Sequence, residues 1–254
     1  MMDNPLVSCV CCTYGRPVLL GEVIKCFIDQ DYKNKELIVL NDQEGVILKL
    51  ENAPDNVQII NYPTRFNSLG EKRNYLNSLV KGDYVCVWDD DDLYTPWRIS
   101  ESIRLFNDRK HIDIIKSQYA LMSINNQNYK FVNNLFHSQA CISRKYIDEN
   151  RYPNKSVGED IEFESNAHIE SIKTNPFVFY IYRWGLNIHH LSGVSDEKES
   201  WDKSLHFESY TQIKGEVLIS PVFQQDYWGD IEGFMSLKNP DFAQKWHSKI
   251  NGKN

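Results

Sequence analysis

Long apolar runs are missing from this sequence. Nothing approaches the roughly 20 residues that a bilayer-spanning helix needs, and the N-terminal residues form no apolar leader core. The expectation is a soluble, intracellular protein, with peripheral contact to a membrane left open. An excess of positive charge is missing too. Lys and Arg number 28 against 35 Asp and Glu, a formal net charge of -7 with a pI near 5.5. No general attraction to nucleic acid follows, so an anionic substrate would need a local basic site or a metal. Paired cysteine motifs are absent as well. Of Cys9, Cys11, Cys12, Cys26, Cys86 and Cys141, the Cys9-x-Cys11-Cys12 cluster has no second Cys/His pair at zinc-finger spacing. Strand alternation puts Cys11 and Cys12 on opposite faces, and the six are read as buried free thiols. No internal repeat, low-complexity tract or flexible linker interrupts the 254 residues.

What is present is enough apolar residue, 41%, to bury a core of one large α/β domain or a domain with a small appendage. Residues 6–12 read as a buried strand, and Thr13-Tyr14-Gly15-Arg16-Pro17 as a turn leading into a helix with Val18, Leu19, Val23, Ile24, Phe27 and Ile28 at helical spacing. Strands follow over 36–40 and 57–60. A helix carries Lys72, Arg73 and Asn74, and residues 84–88 form another strand. Strand, helix, strand, helix, strand is the pattern of a parallel, nucleotide-binding type of sheet. Downstream, 112–115 reads as a strand, 118–132 as a hairpin tipped by Asn125-Asn126-Gln127-Asn128, 140–142 as a strand before a helix at Arg144, and 177–184 as an aromatic strand covered on both faces. From 195 onward helices and loops are expected.

The stretch around which the rest is arranged is Val85-Cys86-Val87-Trp88-Asp89-Asp90-Asp91-Asp92-Leu93-Tyr94-Thr95-Pro96. A strand stops at four carboxylates, and a helix is expected next, with Thr95 as cap and Pro96 at its first position. Adjacent carboxylates repel one another, and a hard cation such as Mg²⁺ or Mn²⁺, which takes carboxylate and phosphate oxygens, would relieve that repulsion. The carboxyl end of a strand is also where open α/β sheets bind ligands. The run lacks the alternating acids and sixth-position glycine of an EF-hand.

Four segments, in order, resemble an inverting family-two glycosyltransferase of the GT-A fold, a member of the nucleotide-diphospho-sugar transferase superfamily. They are Val7 to Pro17; Leu37-Ile38-Val39-Leu40-Asn41-Asp42; Gly70-Glu71-Lys72-Arg73-Asn74 running on through Gly82-Asp83 to Asp92; and Gly158-Glu159-Asp160-Ile161-Glu162-Phe163. Cys12 stands where the family usually has Pro or Thr, Gly15 where Asn is common, and Asn41 in place of the first acid of a pair. The resemblance covers roughly residues 5–193 and implies a Rossmann-like, mostly parallel sheet flanked by helices. It places a glycosyltransferase domain over 1–194, with a nucleotide-binding half to about 110 and an acceptor-binding half after it, and a C-terminal extension over 195–254.

The resemblance also implies roles. Thr13, Tyr14 and Asp42 hold the base, with Cys12 and Arg16 among the nucleotide-binding residues, and Arg73 lies near base and phosphates. Asp91 is the direct metal ligand. Asp89 and Asp90 lie near the ribose and the metal's waters, and Asp92 orients the loop or caps a helix. Asp160 is the general base, and Glu159 supports the loop or contacts the acceptor. His190, rather than its neighbour His189, joins the metal or the diphosphate. Trp184, Trp201 and Trp228 are weighed as sugar-stacking residues and read instead as core. The implied activity is transfer of a sugar, most readily from a UDP-linked donor, to a glycan or related hydroxyl, with Mn²⁺ or Mg²⁺ as cofactor. Two other classes stay open: a sugar-phosphate nucleotidyltransferase, disfavoured because the first turn holds only Gly15 and Arg16 rather than a Gly-rich basic loop, and a non-catalytic nucleotide- or glycan-binding protein.

Overall fold

The computed structural model describes residues 4–109, 111–172, 179–186, 213–238 and 240–251. Its central sheet has seven strands. β1 (Val7–Thr13), β2 (Lys35–Asn41), β4 (Val57–Asn61) and β5 (Tyr84–Val87) are parallel, β10 (Cys141–Ser143) is antiparallel to β5 and to β7 (Ile114–Ser117), and β11 (Ile169–Ile172) closes the edge beside β7. The spatial order is β11-β7-β10-β5-β1-β2-β4. This is the α/β, mostly parallel architecture that the sequence pattern predicts. β1 lies inside it, between β5 and β2, and is buried nearly end to end. Cys9 and Cys11 pack into the core on one face, while Val10 belongs to the core on the other and Cys12 packs against it, as alternation requires. All six cysteines are free thiols.

Helices cover both faces. α1 (Pro17–Ile28) begins with its proline in the first turn and buries Leu20, Val23, Ile24 and Phe27. On the other face lie α2 (Leu69–Asn77), α4 (Arg144–Glu149) and α5 (Glu159–Glu164). Ser68 caps α2 by accepting the Glu71 N–H at 3.1 Å. Gly70 lets α2 approach the loop before α5: a Cβ there would stand 1.9 Å from the Pro153 carbonyl oxygen. That approach brings Arg73 to the start of α5.

The helix expected at Thr95 starts later. Leu93–Tyr94 is a short strand, β6, and α3 runs from Arg98 to Asn107 with Trp97 at its N-cap and no side-chain cap. The cause is a second sheet, β6-β12-β8-β9, built from β6, β8 (Ala120–Ile124), β9 (Asn128–Val132) and β12 (Tyr180–Trp184). Tyr94 pairs with Tyr180, which draws the chain after the acidic run into strand geometry. The hairpin turns at Asn125 and Asn126, both with positive φ, as predicted. Within the described part of the aromatic strand, Tyr180 and Ile181 are fully buried but Trp184 is 38% exposed, so burial on both faces does not extend to its end.

Four strands went unpredicted: β6 and β11, placed above, and two more that pair with each other. β3 (Val46–Leu50) and β13 (Gly215–Ile219) pair in parallel, 169 positions apart in sequence at Val46 and Gly215. After them α6 (Tyr227–Lys238) and α7 (Pro240–Ile250) pack onto the core that holds α1; Trp246 meets Trp97 edge to face at 5.2 Å. Trp228 packs among Phe223 and Trp246, and Trp201 lies outside the described residues.

Candidate active site

A cleft of about 290 Å³ opens where β1 and β5 end, walled by α2, the turn 137–138, the start of α5 and β12. Ten of the predicted site residues line it: Cys12, Thr13, Tyr14, Arg16, Arg73, Asp89, Asp90, Asp91, Glu159 and Asp160. Asp42 is different. It is fully buried behind Lys72, whose ammonium donates both to the Asp42 carboxylate and, at 2.7 Å, to the Thr13 carbonyl, while the Phe66 N–H occupies the second Asp42 oxygen at 3.1 Å. Lys72 lines the cleft and Asp42 does not. His189 and His190 lie outside the described residues.

The four acids divide. Asp90 turns inward, 4% exposed, accepting from the Thr13 hydroxyl at 2.7 Å and from Arg16 at 2.8 Å. Burial pushes its carboxyl up to about 6, against the pull of Arg16 and with Asp91 adding to the rise. Asp92, 2% exposed, turns toward β12 at the cleft wall, where the Tyr180 hydroxyl (2.6 Å) and the Arg183 N–H (2.8 Å) donate to it. Burial, then Asp91 and Asp89, push its carboxyl well up. These two bonds tie Asp92 to β12. Asp89 and Asp91 keep their side chains in the cleft, 26% and 14% exposed. Asp91 pairs with Arg16 at 2.6 Å. Asp89 accepts from Ser138 and lies 3.4 Å from Arg73, and although burial opposes its charge, those neighbours hold its carboxyl below the usual range.

Arg73 also faces the far wall, with its Nε 3.4 Å from the Glu159 carboxylate. α5 starts from Gly158 in the left-handed region, φ 69°, a backbone state that favours glycine and turns Glu159 inward. Glu159 is 4% exposed, and burial raises its carboxyl to about 7 despite Arg73, with Asp160 adding to the rise. Asp160 is half-buried and accepts the N–H of Ile161, the next residue of its own helix, at 2.9 Å. One guanidinium thus stands between the acidic run and the paired acids of α5.

Several cleft residues gave no sequence signal. His137 is buried with Nδ1 2.6 Å from Glu164 and Nε2 2.8 Å from the Tyr152 hydroxyl; Lys116 reaches the other Glu164 oxygen at 2.5 Å. This network fixes the turn from which Ser138 meets Asp89. Arg65 stacks over the Tyr14 ring at 4.3 Å. Each pairing spans a separation in sequence that no local motif encodes; only Lys72, inside the Gly-Glu-Lys-Arg-Asn segment, stood within a motif.

The donor set fits a hard divalent cation. Asp89 and Asp91 offer carboxylate oxygens at the cleft wall. Among the described residues no group of three or more His, Cys, Asp or Glu could hold a metal by itself. Such an ion would complete its shell with substrate oxygens and water, the ordinary way for Mg²⁺. The same wall offers Arg16, Lys72 and Arg73 to anionic oxygens, of which the arginines present planar forks.

A mostly parallel sheet with a cleft at its strand ends, where an acid run faces basic residues, defines an α/β protein built to take a charged ligand there. The family model "Glycosyl transferase family 2" matches residues 8–165, and the chain belongs to that family. A putative colanic acid biosynthesis glycosyl transferase of Escherichia coli is 34% identical over 104 residues, 39% of this chain and 37% of the relative. A GalNAc(5)-diNAcBac-PP-undecaprenol β-1,3-glucosyltransferase of Campylobacter jejuni is 32% identical over 94 residues, 35% of this chain and 30% of the relative. An uncharacterised glycosyltransferase of Methanocaldococcus jannaschii is 29% identical over 122 residues, 46% and 42% of the two chains. The matches span less than half the length of each of these relatives. Among solved structures, S. aureus TarS in complex with UDP-GlcNAc superposes with a TM-score of 0.56 at 13% identity, covering 94% of this chain and 73% of that one. Mannosyltransferase PcManGT from Pyrobaculum calidifontis, in complex with GDP-Man and Mn²⁺, gives 0.53 at 10% identity, covering 100% and 77%. At these identities the likeness is one of fold, and the fold is that of GT-A glycosyltransferases. No described helix is long and apolar enough to cross a membrane.

Proposed function

We propose that this protein is a metal-dependent, inverting glycosyltransferase that moves a sugar from a UDP-linked donor to a hydroxyl of a glycan or related acceptor. The observation that carries the reading is the position of Arg73, 3.4 Å from Asp89 on one side and 3.4 Å from Glu159 on the other. A diphosphate drawn to this guanidinium would have the acidic run beside it and the α5 carboxylates across from it. Family membership supports the reaction class, and the nucleotide sugars bound by TarS and PcManGT support the donor class.

In this reading Tyr14, backed by Arg65, faces the base along with Cys12 and Thr13, and Asp42 acts through Lys72. Arg16 and Arg73 hold donor oxygens. Asp91, with Asp89 close by, would hold the cation and Asp90 would fix Arg16; His190 is proposed as a further ligand. A bound Mg²⁺ or Mn²⁺ supplies Lewis-acid stabilisation of charge on a departing nucleoside diphosphate. Asp160 is the base in this reading, because it lines the cleft while Glu159 is held to Arg73. The acceptor oxygen forms a bond to the anomeric carbon as its proton passes to Asp160, and the carbon–oxygen bond to the diphosphate breaks with its electron pair on the leaving group. A single attack opposite the leaving group inverts the anomeric centre. The nucleotide half is proposed as residues to about 110, and the acceptor half as 111–194.

The test is a panel of UDP- and GDP-linked sugars with Mn²⁺, scoring nucleoside diphosphate release with and without candidate acceptors. Acceptor-dependent UDP release from at least one donor is expected. Release from GDP-sugars alone would overturn the donor assignment, and no release from any donor would overturn the activity.

A further inference from the structure

Behind the acidic run, on the side away from the cleft, lies a buried ion pair that the reaction above does not use. Arg183 of β12 and Glu22 of α1 are both 0% exposed in their side chains and meet at 2.6 Å. Arg183 reaches forward as well as back. Its Nε donates to the Asp91 carbonyl at 2.5 Å, and its backbone N–H donates to the Asp92 carboxylate at 2.8 Å. Behind the pair, the Tyr227 hydroxyl of α6 donates to Glu22 at 2.7 Å, and Arg183 Nη1 lies 3.4 Å from the same hydroxyl oxygen; the Gln224 N–H donates to Glu22 at 3.0 Å. One continuous chain of contacts therefore runs from α6 through Glu22 and Arg183 to the backbone of Asp91. Arg183 and Tyr227 both lie beyond the segment, 8–165, that carries the family match.

Two buried charges removed from water lose much of their hydration, and a guanidinium holds a fixed fork of donors once its carboxylate is set. Such a pair is rigid and directional. Here one of its donors grips the main-chain oxygen of the residue that the proposed reaction uses as cation ligand. We propose that Arg183 is a positioning residue for Asp91, oriented by Glu22 and Tyr227, so that helix α6 is part of the apparatus that sets the cation-binding loop. The proposal rests on the cation reading of the cleft only for its consequence; the clamp on the loop is a property of the chain's own contacts. Groups that orient a metal ligand from behind typically change metal affinity by about 10–100-fold when removed.

Tyr227→Phe removes one hydroxyl and leaves Glu22 bonded to Arg183 and to the Gln224 N–H. Arg183→Lys keeps the charge but cannot reach both Glu22 and Asp91 as a fork. Two measurements are made on each variant and on the unsubstituted chain: amide hydrogen exchange of peptides spanning 88–94 against peptides from β2 and β4, and Mn²⁺ affinity by calorimetry in the presence of saturating UDP. Loop exchange at least about 10-fold faster, with β2 and β4 unchanged, is expected in both variants, together with Mn²⁺ affinity lowered by about 10–100-fold in Arg183→Lys and less in Tyr227→Phe. If Arg183→Lys fails to fold, Tyr227→Phe decides. Unchanged exchange over 88–94, or a uniform rise across β2 and β4, overturns the clamp. A loosened loop in a protein whose wild type binds no Mn²⁺ upholds the clamp and overturns the cation reading instead.

Discussion

Asp89–Asp92 and Glu159–Asp160 are both sets of adjacent carboxylates at one cleft, but they are partnered differently. In the acidic run every carboxylate meets a cation or a hydroxyl: Arg16 for Asp90 and Asp91, Ser138 and Arg73 for Asp89, Tyr180 for Asp92. At the start of α5, Glu159 meets one guanidinium at 3.4 Å, and Asp160 meets the N–H next to it in its own helix. The run is organised before any ligand arrives, which suits binding. The α5 pair retains a carboxylate able to accept a proton, which suits chemistry. Preorganised dipoles and charges lower a barrier because they need not move at the moment of reaction, whereas a general base must change its protonation state in it.

The sharpest way to break this contrast is Asp160→Asn. The shape is kept and the proton-accepting oxygen is lost, so transfer should fall by about 10²–10⁴-fold while UDP affinity stays nearly constant. Transfer kinetics and calorimetry on the same preparation check it. Near-normal transfer would show that Asp160 is not the base and would turn attention to Glu159. The next largest effect belongs to the binding side. Lys72 and Asp42 form an ion pair with side chains 3% and 1% exposed. Lys72→Met strands a buried carboxylate and should cost about 3–5 kcal/mol, lowering the melting temperature by roughly 6–20 °C. The double variant Asp42→Leu with Lys72→Met should recover most of that loss, because a buried pair and an apolar pair of like volume are often close in stability. If the double variant melts no higher than the single one, the loss lies in packing rather than in the stranded charge.

These tests turn on residues of uneven legibility. β1, β2, β4 and β5, the helix after Pro17 and the opening of α5 at Gly158 were readable because each is a local pattern: an apolar run, a helical stripe, a glycine beside acids. Ten cleft residues were named from motifs for the same reason. What stayed hidden is nonlocal. Thr95 and Pro96 are good helix-start residues, yet pairing of Tyr94 with Tyr180 overrides that preference and moves the helix to Arg98. Val46–Leu50 becomes a strand only because residues 215–219 lie beside it. Asp42 carries the right side chain at the right strand end, but Lys72 comes between it and the cleft, a fact set by how α2 docks through Gly70. Glu22 stands in no motif; it is buried against Arg183, 161 residues later.

Asp91→Asn separates the two sets of acids by their dependence on the cation. It should lower Mn²⁺-supported UDP affinity by about 10–100-fold, the scale seen when metal sites are weakened, and transfer should fall with it, since the ion acts on ground state and transition state alike. Calorimetry with Mn²⁺ and with chelator checks it. Equal wild-type affinity in both conditions would mean that the carboxylates of the run serve Arg16 and Arg73 alone.

The smallest expected effect concerns Glu159 and is read in stability rather than catalysis. Burial raises its carboxyl to about 7, against an ordinary glutamate value of 4.5. The unfolded chain therefore releases this proton at lower pH than the folded one. Between those two values the native state holds more protons than the unfolded state, so this group's contribution makes stability fall as pH rises from about 4.5 to 7. Below the window the side chain is neutral in both states and the contribution vanishes; above it the full penalty for a buried charge is present. Glu159→Gln carries no titrating proton, and the difference between its stability and that of the wild type isolates the group from Asp90 and the other acids. The variant should gain on the wild type by roughly 1–3 kcal/mol on going from pH 4 to pH 8, measured by denaturant unfolding at each pH without added metal. A difference that stays flat across this range would mean that Arg73, 3.4 Å away, compensates the buried charge fully, and Glu159 would then join the acids of the run as a partnered group rather than stand apart with Asp160.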